Sequence, residues 1–193
     1  MDATLVMQLR AMTGAGVLDA KQALEACAGD LTRAADELRK KGQAKAAKRA
    51  ERATAEGVIG SYVHATGKLA ALVAVACETD FVARSEEFQA LVHDLALQVT
   101  ATNPRYLERA EVPPEVVAKE REIAVAEASG SGKPQEIIEK IVSGKMAKYY
   151  AETCLLEQSF VKDSDRSVAE RIQQVIAKTG ENIQVRRFVR FML

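Results

Sequence analysis

The sequence is poor in the residues that build metal sites, disulfide frameworks and histidine-based active sites. Its 193 residues include three cysteines and two histidines. Cys27, Cys77 and Cys154 lie far apart in apolar or helical surroundings and form no CxxC pair. We therefore expect neither a zinc site nor a disulfide framework, and no bound metal or cofactor. Reduced thiols of this kind are typical of a cytosolic protein.

The chain also lacks net charge and long apolar runs. It carries 27 basic and 27 acidic residues, which argues against a protein that coats nucleic acid or membranes by bulk electrostatics. No apolar run reaches the roughly 18 residues of a membrane span. The N-terminus has no basic segment followed by an apolar one, so no signal peptide is expected. We therefore expect a cytoplasmic protein with no membrane partner.

Common catalytic motifs are missing from the sequence. It has no GxxxxGKS/T phosphate loop, no GxGxxG after a strand and no GxSxG elbow. His64 falls in a predicted hairpin strand and His93 in an amphipathic helix, where a packed or surface histidine is the simpler interpretation. We expect a protein that acts by binding rather than an enzyme, with a hydrolase of dispersed site as the alternative.

Apolar periodicity predicts three short helices over residues 2–40. Residues 13–16, with two glycines, separate the first helix from the second. Gly29 ends the second helix, and Asp30 caps the third. Three apolar stripes of this kind can close one compact core. The expected buried face of the second helix consists of Val17, Ala20, Leu24 and Cys27.

A basic run follows the third predicted helix. Residues 39–53 contain seven basic side chains and a single acid, with alanines between them. The run is typical of a helical linker. Two interpretations remain open: a solvated helix face, or a contact with an acidic partner or RNA.

From residue 58 the apolar period changes to two. Residues 58–64 and 68–77 predict a hairpin with its turn at 65–67. The second strand has no polar face, so we expect it to be central and covered on both sides. A last strand is predicted over residues 183–193. The side chains expected to share one of its faces are Ile183, Val185, Val189, Phe191 and Leu193.

Amphipathic helices are predicted between the hairpin and the last strand. They begin near Ser85, Pro114, Pro134 and Ser167. Residues 129–132 should separate the second helix from the third, and residues 143–144 could interrupt the third.

This order of elements predicts an α+β fold. The first unit is a three-helix module over residues 1–41. A basic helical linker over residues 42–56 follows it. Residues 57–193 should form an α+β core, in which a small antiparallel three-stranded sheet packs with helices.

The segment from residue 77 to residue 84 joins the central strand to the next helix. Its centre reads Thr79-Asp80-Phe81-Val82. A Phe in so short a connection either folds back into the core or projects outwards. The two interpretations are a Phe81 packed under the following helix, and an acidic-aromatic finger presented to a partner.

Several segments resemble the signatures of the elongation factor Ts family. They follow one another in order along essentially the whole chain, which makes chance similarity negligible. The matching segments are residues 9–10, 13–24, 29–30, 38–42, 56–59, 77–83, 155–158, 160–163 and 188–191.

The resemblance implies a nucleotide exchange factor for the GTPase elongation factor Tu. The three-helix module would be similar to a ubiquitin-associated domain and would dock on the nucleotide-binding domain of the GTPase. Residues 79–82 would insert near the bound magnesium, with Asp80 and Phe81 intruding and with Thr79 and Val82 beside them. The other residues that match contact positions are Arg10, Val17, Leu18, Lys21 and Arg49, together with His64 in a weaker match.

The resemblance also implies how the chain assembles. Long family members carry a duplicated core half, an inserted helical hairpin and a C-terminal helical module, whereas here the core occurs once. Short members restore a two-sided core by pairing two copies. We therefore expect a homodimer with two-fold symmetry, a 2:2 complex with the GTPase, and no specific nucleic-acid partner.

Overall fold

The computed structural model describes residues 2–130 and 134–193, and its first unit is a three-helix module. The predicted break at residues 129–132 lies partly outside the described residues. Asp2 caps the first helix, and Gly14 ends it in the left-handed region at φ 71°. The three helices are α1 (Ala3–Thr13), α2 (Val17–Ala26) and α3 (Leu31–Arg49).

The module has a small core of its own. Leu9, Leu24 and Leu38 are its large buried side chains, with alanines and Cys27 between them. The prediction that Val17 is buried is wrong, because Val17 is 57% exposed. It stands at the first position of α2, at the edge of a core that holds only seven buried residues.

Helix α3 runs without a break from the module into the predicted linker. It begins at the Asp30 cap and continues through Arg49. Ala46, near the C-terminal end of α3, does not belong to the core of the module. It packs in the larger hydrophobic core formed by the rest of the chain, which we call the main core. One helix therefore packs in both units.

The main core is built on a three-stranded antiparallel sheet, as predicted. The three strands are β1 (Glu56–Val63), β2 (Leu69–Cys77) and β5 (Gln184–Met192). Their order in the sheet is β1-β2-β5, so β2 is central. Tyr62 of β1 pairs with Ala71 of β2, and Ala71 pairs with Arg190 of β5.

Helices cover one face of this sheet. A one-turn helix, α4 (Asp80–Ala83), leads into α5 (Glu86–Thr102), which packs on β1 and β2. The side chains that α5 buries include Phe88, Leu91, Val92, Leu95 and Val99.

The expectation that β2 is covered on both faces is wrong for the chain by itself. Ala71, Val73 and Val75 are buried under the helices, but Leu72 on the opposite face is 43% exposed. The chain supplies one helix layer, and that layer lies on one side. We call the opposite side the open sheet face; it carries seven apolar side chains together with Ser61 and Arg187. The apolar ones are Ile59, Val63, Ala70, Leu72, Ala74, Val189 and Phe191.

The predicted faces of β5 are also wrong, because the strand contains a bulge. The pairing with β2 shifts register between Ala74 and Val75. Val185 therefore lies on the covered face, while Val189 and Phe191 lie on the open one. Phe188 takes the inward place and packs against the main core.

The remaining elements complete the core. α6 (Pro114–Ser129) and α7 (Gln135–Thr153) pack against each other around Ala124, Ala128 and Val142. The two helices form a helical hairpin, and α7 is not interrupted at residues 143–144. A short pairing of β3 (Ser159–Phe160) with β4 (Asp163–Ser167) and the capped helix α8 (Val168–Thr179) follow. Within residues 2–130 and 134–193, no helix is long and apolar enough to cross a bilayer.

Candidate functional site

The corner at residues 79–82 is a single helical turn between two longer elements. β2 ends at Cys77, and α4 begins at Asp80. The Thr79 hydroxyl caps α4 by accepting a hydrogen bond from the Val82 N–H at 3.4 Å. Ser85 then caps α5, so the chain turns from strand to helix within eight residues.

Phe81 projects from this corner into solvent. Its exposed fraction is 83%, whereas Ala83 is buried and Val82 packs against the main core. The interpretation of Phe81 as packed under the following helix is therefore wrong. Val82 and Ala83 take the inward side of the single turn, which leaves the outward side to Phe81. Single exposed apolar side chains are common on protein surfaces, so the position of Phe81 on a short turn, rather than its exposure alone, makes it a candidate contact residue.

Asp80 stands beside Phe81 and keeps a partner within the turn. One of its carboxylate oxygens lies 3.2 Å from the guanidinium of Arg84, which is itself highly exposed. An exposed ion pair of this kind contributes little stability. Asp80 is therefore available to a partner protein with little loss to the fold.

A second carboxylate holds the corner from behind. Glu181, between α8 and β5, accepts hydrogen bonds from the N–H groups of Glu78 and Thr79 and from the Thr79 hydroxyl. In return, Glu78 accepts a 2.6 Å hydrogen bond from the Asn182 N–H. Sequence reasoning missed Glu181 and Asn182. The available signal was the placement of two polar residues between the Gly180 helix end and the last predicted strand.

Four of the predicted contact residues lie on the three-helix module. Leu18 is 69% exposed next to the exposed Val17. Lys21 lies 3.9 Å from Glu25 on the same helix. Arg10 donates to the Ala15 carbonyl at 3.2 Å. These residues give the module an apolar surface with cations at its margin.

Two predicted contact residues lie elsewhere. Arg49, at the end of α3, donates to the Ile176 carbonyl of α8 at 3.1 Å, which ties α3 to the core. His64 follows the end of β1 and is exposed, with its ring centroid 6.4 Å from that of Tyr62. The structure therefore does not bring Arg49 and His64 onto the module surface.

The basic run is largely neutralised within the chain. Lys41 and Lys45 both bind Asp19 of α2, at 2.7 and 3.1 Å, and these hydrogen bonds lower the pKa of the Asp19 carboxyl. Arg39 lies near Glu170, and Arg52 near Glu78. This pairing favours a structural role for the run over a contact with RNA.

The cysteines are buried and suit packing roles. The Cys77 thiol donates to the Thr79 carbonyl at 3.2 Å, and burial raises the pKa of that thiol. Burial likewise raises the pKa of the Cys154 thiol. Over the two described ranges, no three His, Cys, Asp or Glu side chains lie close enough together to hold a metal ion.

The open sheet face exposes several large apolar side chains. Ile59 is 71% exposed, Val63 64% and Phe191 59%. The register places these side chains on the same side as Leu72. A contiguous apolar area on a sheet is typical of an interface.

Comparisons of the sequence with known proteins identify its family. The family model for elongation factor Ts matches residues 31–174. The elongation factor Ts of Geobacter sulfurreducens is 53% identical over 191 residues, which cover 99% of this chain and 88% of the relative. That of Syntrophomonas wolfei is 52% identical over 98% of this chain and 88% of the relative. That of Moorella thermoacetica is 52% identical over 96% of this chain and 92% of the relative. Matched in this way along nearly its whole length, the chain belongs to the elongation factor Ts family.

Proposed function

We propose that this chain promotes the release of GDP from elongation factor Tu, and that the corner at residues 79–82 does so as a wedge. The observation that carries the proposal is the exposed Phe81, held on a single turn whose other apolar side chains face the core. Asp80 stands beside it. An aromatic and a carboxylate presented on a rigid support suit insertion into a partner.

The physical chemistry of exchange requires no covalent step. GDP is held by a loop that cradles its phosphates and by a cation that bridges them. Displacing the elements around that site spoils the coordination of the cation, and GDP then dissociates faster. Contacts between the factor and the distorted GTPase offset the cost of the distortion. Linkage also requires that tight nucleotide binding weaken the grip of the factor. On this proposal the chain is not an enzyme in its own right.

The three-helix module serves as the docking unit in this proposal. Its exposed Val17 and Leu18, with Arg10 and Lys21 nearby, would bind the nucleotide-binding domain of the GTPase. The proposed division remains a module at residues 1–41, a linker at 42–56 and a core at 57–193. Separate hydrophobic clusters in module and core support the division, although α3 crosses its first boundary.

Arg49 has a different place in the proposal. Its guanidinium is engaged by the Ile176 carbonyl, so we assign it to the orientation of the module relative to the core. His64 is proposed as a contact on the core side, because it is exposed beside the hairpin turn.

We also propose that two copies pair through the open sheet face. Ile59, Val63, Leu72 and Phe191 would then be buried against the same side chains of a second copy. A two-fold interface buries one patch against itself, and the four side chains just named are all uncharged. The resulting assembly with the GTPase is 2:2, and its place of action is the cytoplasm.

The experiment follows a fluorescent GDP analogue leaving elongation factor Tu, with and without this protein. We expect the unmodified chain to accelerate release. Alanine at both Asp80 and Phe81 should lower the maximal rate by at least about tenfold while binding persists through the module. Release that the unmodified chain does not accelerate would refute the proposal.

A further inference from the structure

The corner that carries Asp80 and Phe81 is too small to hold its own orientation. A helix of four residues does not persist alone, because nucleation fixes several residues for one hydrogen bond. The capping bond from the Val82 N–H to the Thr79 hydroxyl is long, at 3.4 Å. Whatever fixes the corner must therefore come from outside residues 79–83.

The sheet does not supply that support. The pairing of β2 with β5 ends at Ala76 and Gln184, so the N–H groups of Glu78 and Thr79 lie beyond the ladder. The carboxylate of Glu181, rather than a neighbouring strand, accepts hydrogen bonds from these two N–H groups. Their lengths are 3.2 and 3.0 Å, and the Thr79 hydroxyl donates to the same carboxylate at 2.6 Å. Hydrogen bonds to an ionised acceptor are about twice as strong as neutral ones.

The loop that carries Glu181 is itself anchored. The Asn182 side chain is buried and donates to the Ala50 and Arg52 carbonyls at 3.2 and 2.8 Å. The Asn182 N–H donates to the Glu78 carboxylate at 2.6 Å. These hydrogen bonds join three segments behind the exposed face of α4: the corner, the loop before β5 and the segment after α3.

We infer that Glu181 is a positioning residue for nucleotide exchange: through Thr79 it holds the corner in the orientation in which Asp80 and Phe81 enter the GTPase. This inference rests on the proposed function. A wedge that distorts a partner meets an equal opposing force. Val82 and Ala83 hold one side of the turn against the core, but without a brace at its N-terminal end the turn rotates about that contact instead of transmitting the force. Glu181 supplies the brace from the rear and touches neither Asp80 nor Phe81 through any hydrogen bond or ion pair in the described part of the chain.

The test compares the full-length chain with Glu181→Ala in the GDP-release assay over a range of factor concentrations. We expect the maximal rate to fall at least about tenfold, because three hydrogen bonds to the corner are lost. The concentration for half-maximal effect should change less than about threefold, because the docking surface on the module is intact. Glu181→Gln should recover most of the rate, since its amide oxygen still accepts from both N–H groups.

The matched control is Glu157→Ala. Glu157 pairs with Arg109 on a different part of the core, so its loss should leave the maximal rate unchanged. An unchanged maximal rate in Glu181→Ala would overturn the inference, and so would a rise in the half-maximal concentration alone. If Glu181→Ala has no cooperative melting transition, Thr79→Val and Thr79→Ser replace it. The Ser variant keeps the hydroxyl, so equal maximal rates in these two would also overturn the inference.

The two proposals fail separately. If the unmodified chain does not accelerate release, the proposed function fails. If it does, and the alanine variants at Asp80 and Phe81 are slow while Glu181→Ala is fast, only the role of Glu181 fails.

Discussion

The two faces of the three-stranded sheet have similar composition and opposite surroundings. On the covered face, Val73 and Val75 are buried under α5. On the open face, Ile59 and Leu72 are equally apolar and largely exposed. Hydrophobic content therefore does not decide which face of the sheet is buried within one chain. The position of the helix layer decides it. The open face thus exposes apolar side chains that a partner could bury, and a second copy is the partner we propose.

The close approach of α5 to the sheet depends on a residue without a side chain. Gly60 of β1 pairs with Val73 and faces the helix. A Cβ at that position would collide with the Val92 side chain and lie 3.1 Å from the Val92 carbonyl oxygen. The next residue, Ser61, pairs with Leu72 on the open face. Adjacent residues of β1 therefore differ: Gly60 lies in tight contact with α5, whereas Ser61 is exposed to solvent.

The largest expected effect is the loss of an anchor on the covered face. Phe88→Ala removes a fully buried ring from α5 and should lower the free energy of unfolding by about 3–5 kcal/mol. Phe81→Ala is its matched control, because the same side chain is exposed there and should leave the stability nearly unchanged. Urea unfolding of both variants provides the measurement. Similar losses in the two would contradict the placement of Phe81.

A charge on the open face should separate the two copies. Leu72→Asp places a carboxylate at the centre of the proposed interface, where burial without a partner is costly. We expect the dimer dissociation constant to rise at least about 100-fold, measured by sedimentation equilibrium. Ala147→Asp, on the exposed side of α7, should leave the mass unchanged. A dimer that survives Leu72→Asp would show that pairing uses another surface.

A smaller effect distinguishes the faces at adjacent residues. Gly60→Ala forces a methyl group into the contact with α5 and should cost about 1–3 kcal/mol by overpacking. Ser61→Ala adds no such clash and should change stability by no more than about 0.5 kcal/mol. Thermal unfolding of the pair tests the difference. Equal effects would mean that α5 can move away from the sheet.

The smallest effect concerns the edge of the covering layer, where Glu87 of α5 pairs with Lys178 of α8. A hydrogen bond from Lys178 lowers the pKa of the Glu87 carboxyl from its ordinary 4.5. The ionised form therefore favours the fold above about pH 4.5, and this contribution is lost as the pH falls through the lower folded pKa. Glu87→Gln should lower the melting temperature by no more than about 2 °C at pH 7. At pH 2 the two proteins should melt alike, and a persistent difference would point to another cause.

Local patterns predicted most of the elements. Gly14 marks the end of α1, Gly16 the start of α2 and the Asp30 cap the start of α3. The switch to period two identifies β1 and β2. The faces of β5 could not be predicted, because a bulge shifts its register in the middle of the strand. A bulge depends on how β5 pairs with β2, so the alternation of apolar and polar residues within β5 does not indicate it.

The candidate site was predictable in position but not in orientation. The corner stood out because it carries Phe81 in a short connection, yet sequence alone favoured the core over solvent for that ring. Its exposure depends on which residues of one helical turn face the core. Glu181 escaped notice because it lies about a hundred residues away along the chain, and contacts at that distance follow from the tertiary fold.

The continuity of α3 has a consequence for how this family tolerates changes in length. Because the helix advances about 1.5 Å and turns about 100° per residue, one residue inserted near position 42 would rotate the whole module by roughly a quarter-turn against the core. Val17 and Leu18 would then point in a new direction while the wedge stayed in place. The length of the unbroken helix therefore fixes the rotation of one contact surface relative to the other. We expect substitutions along it to be far better accepted than insertions.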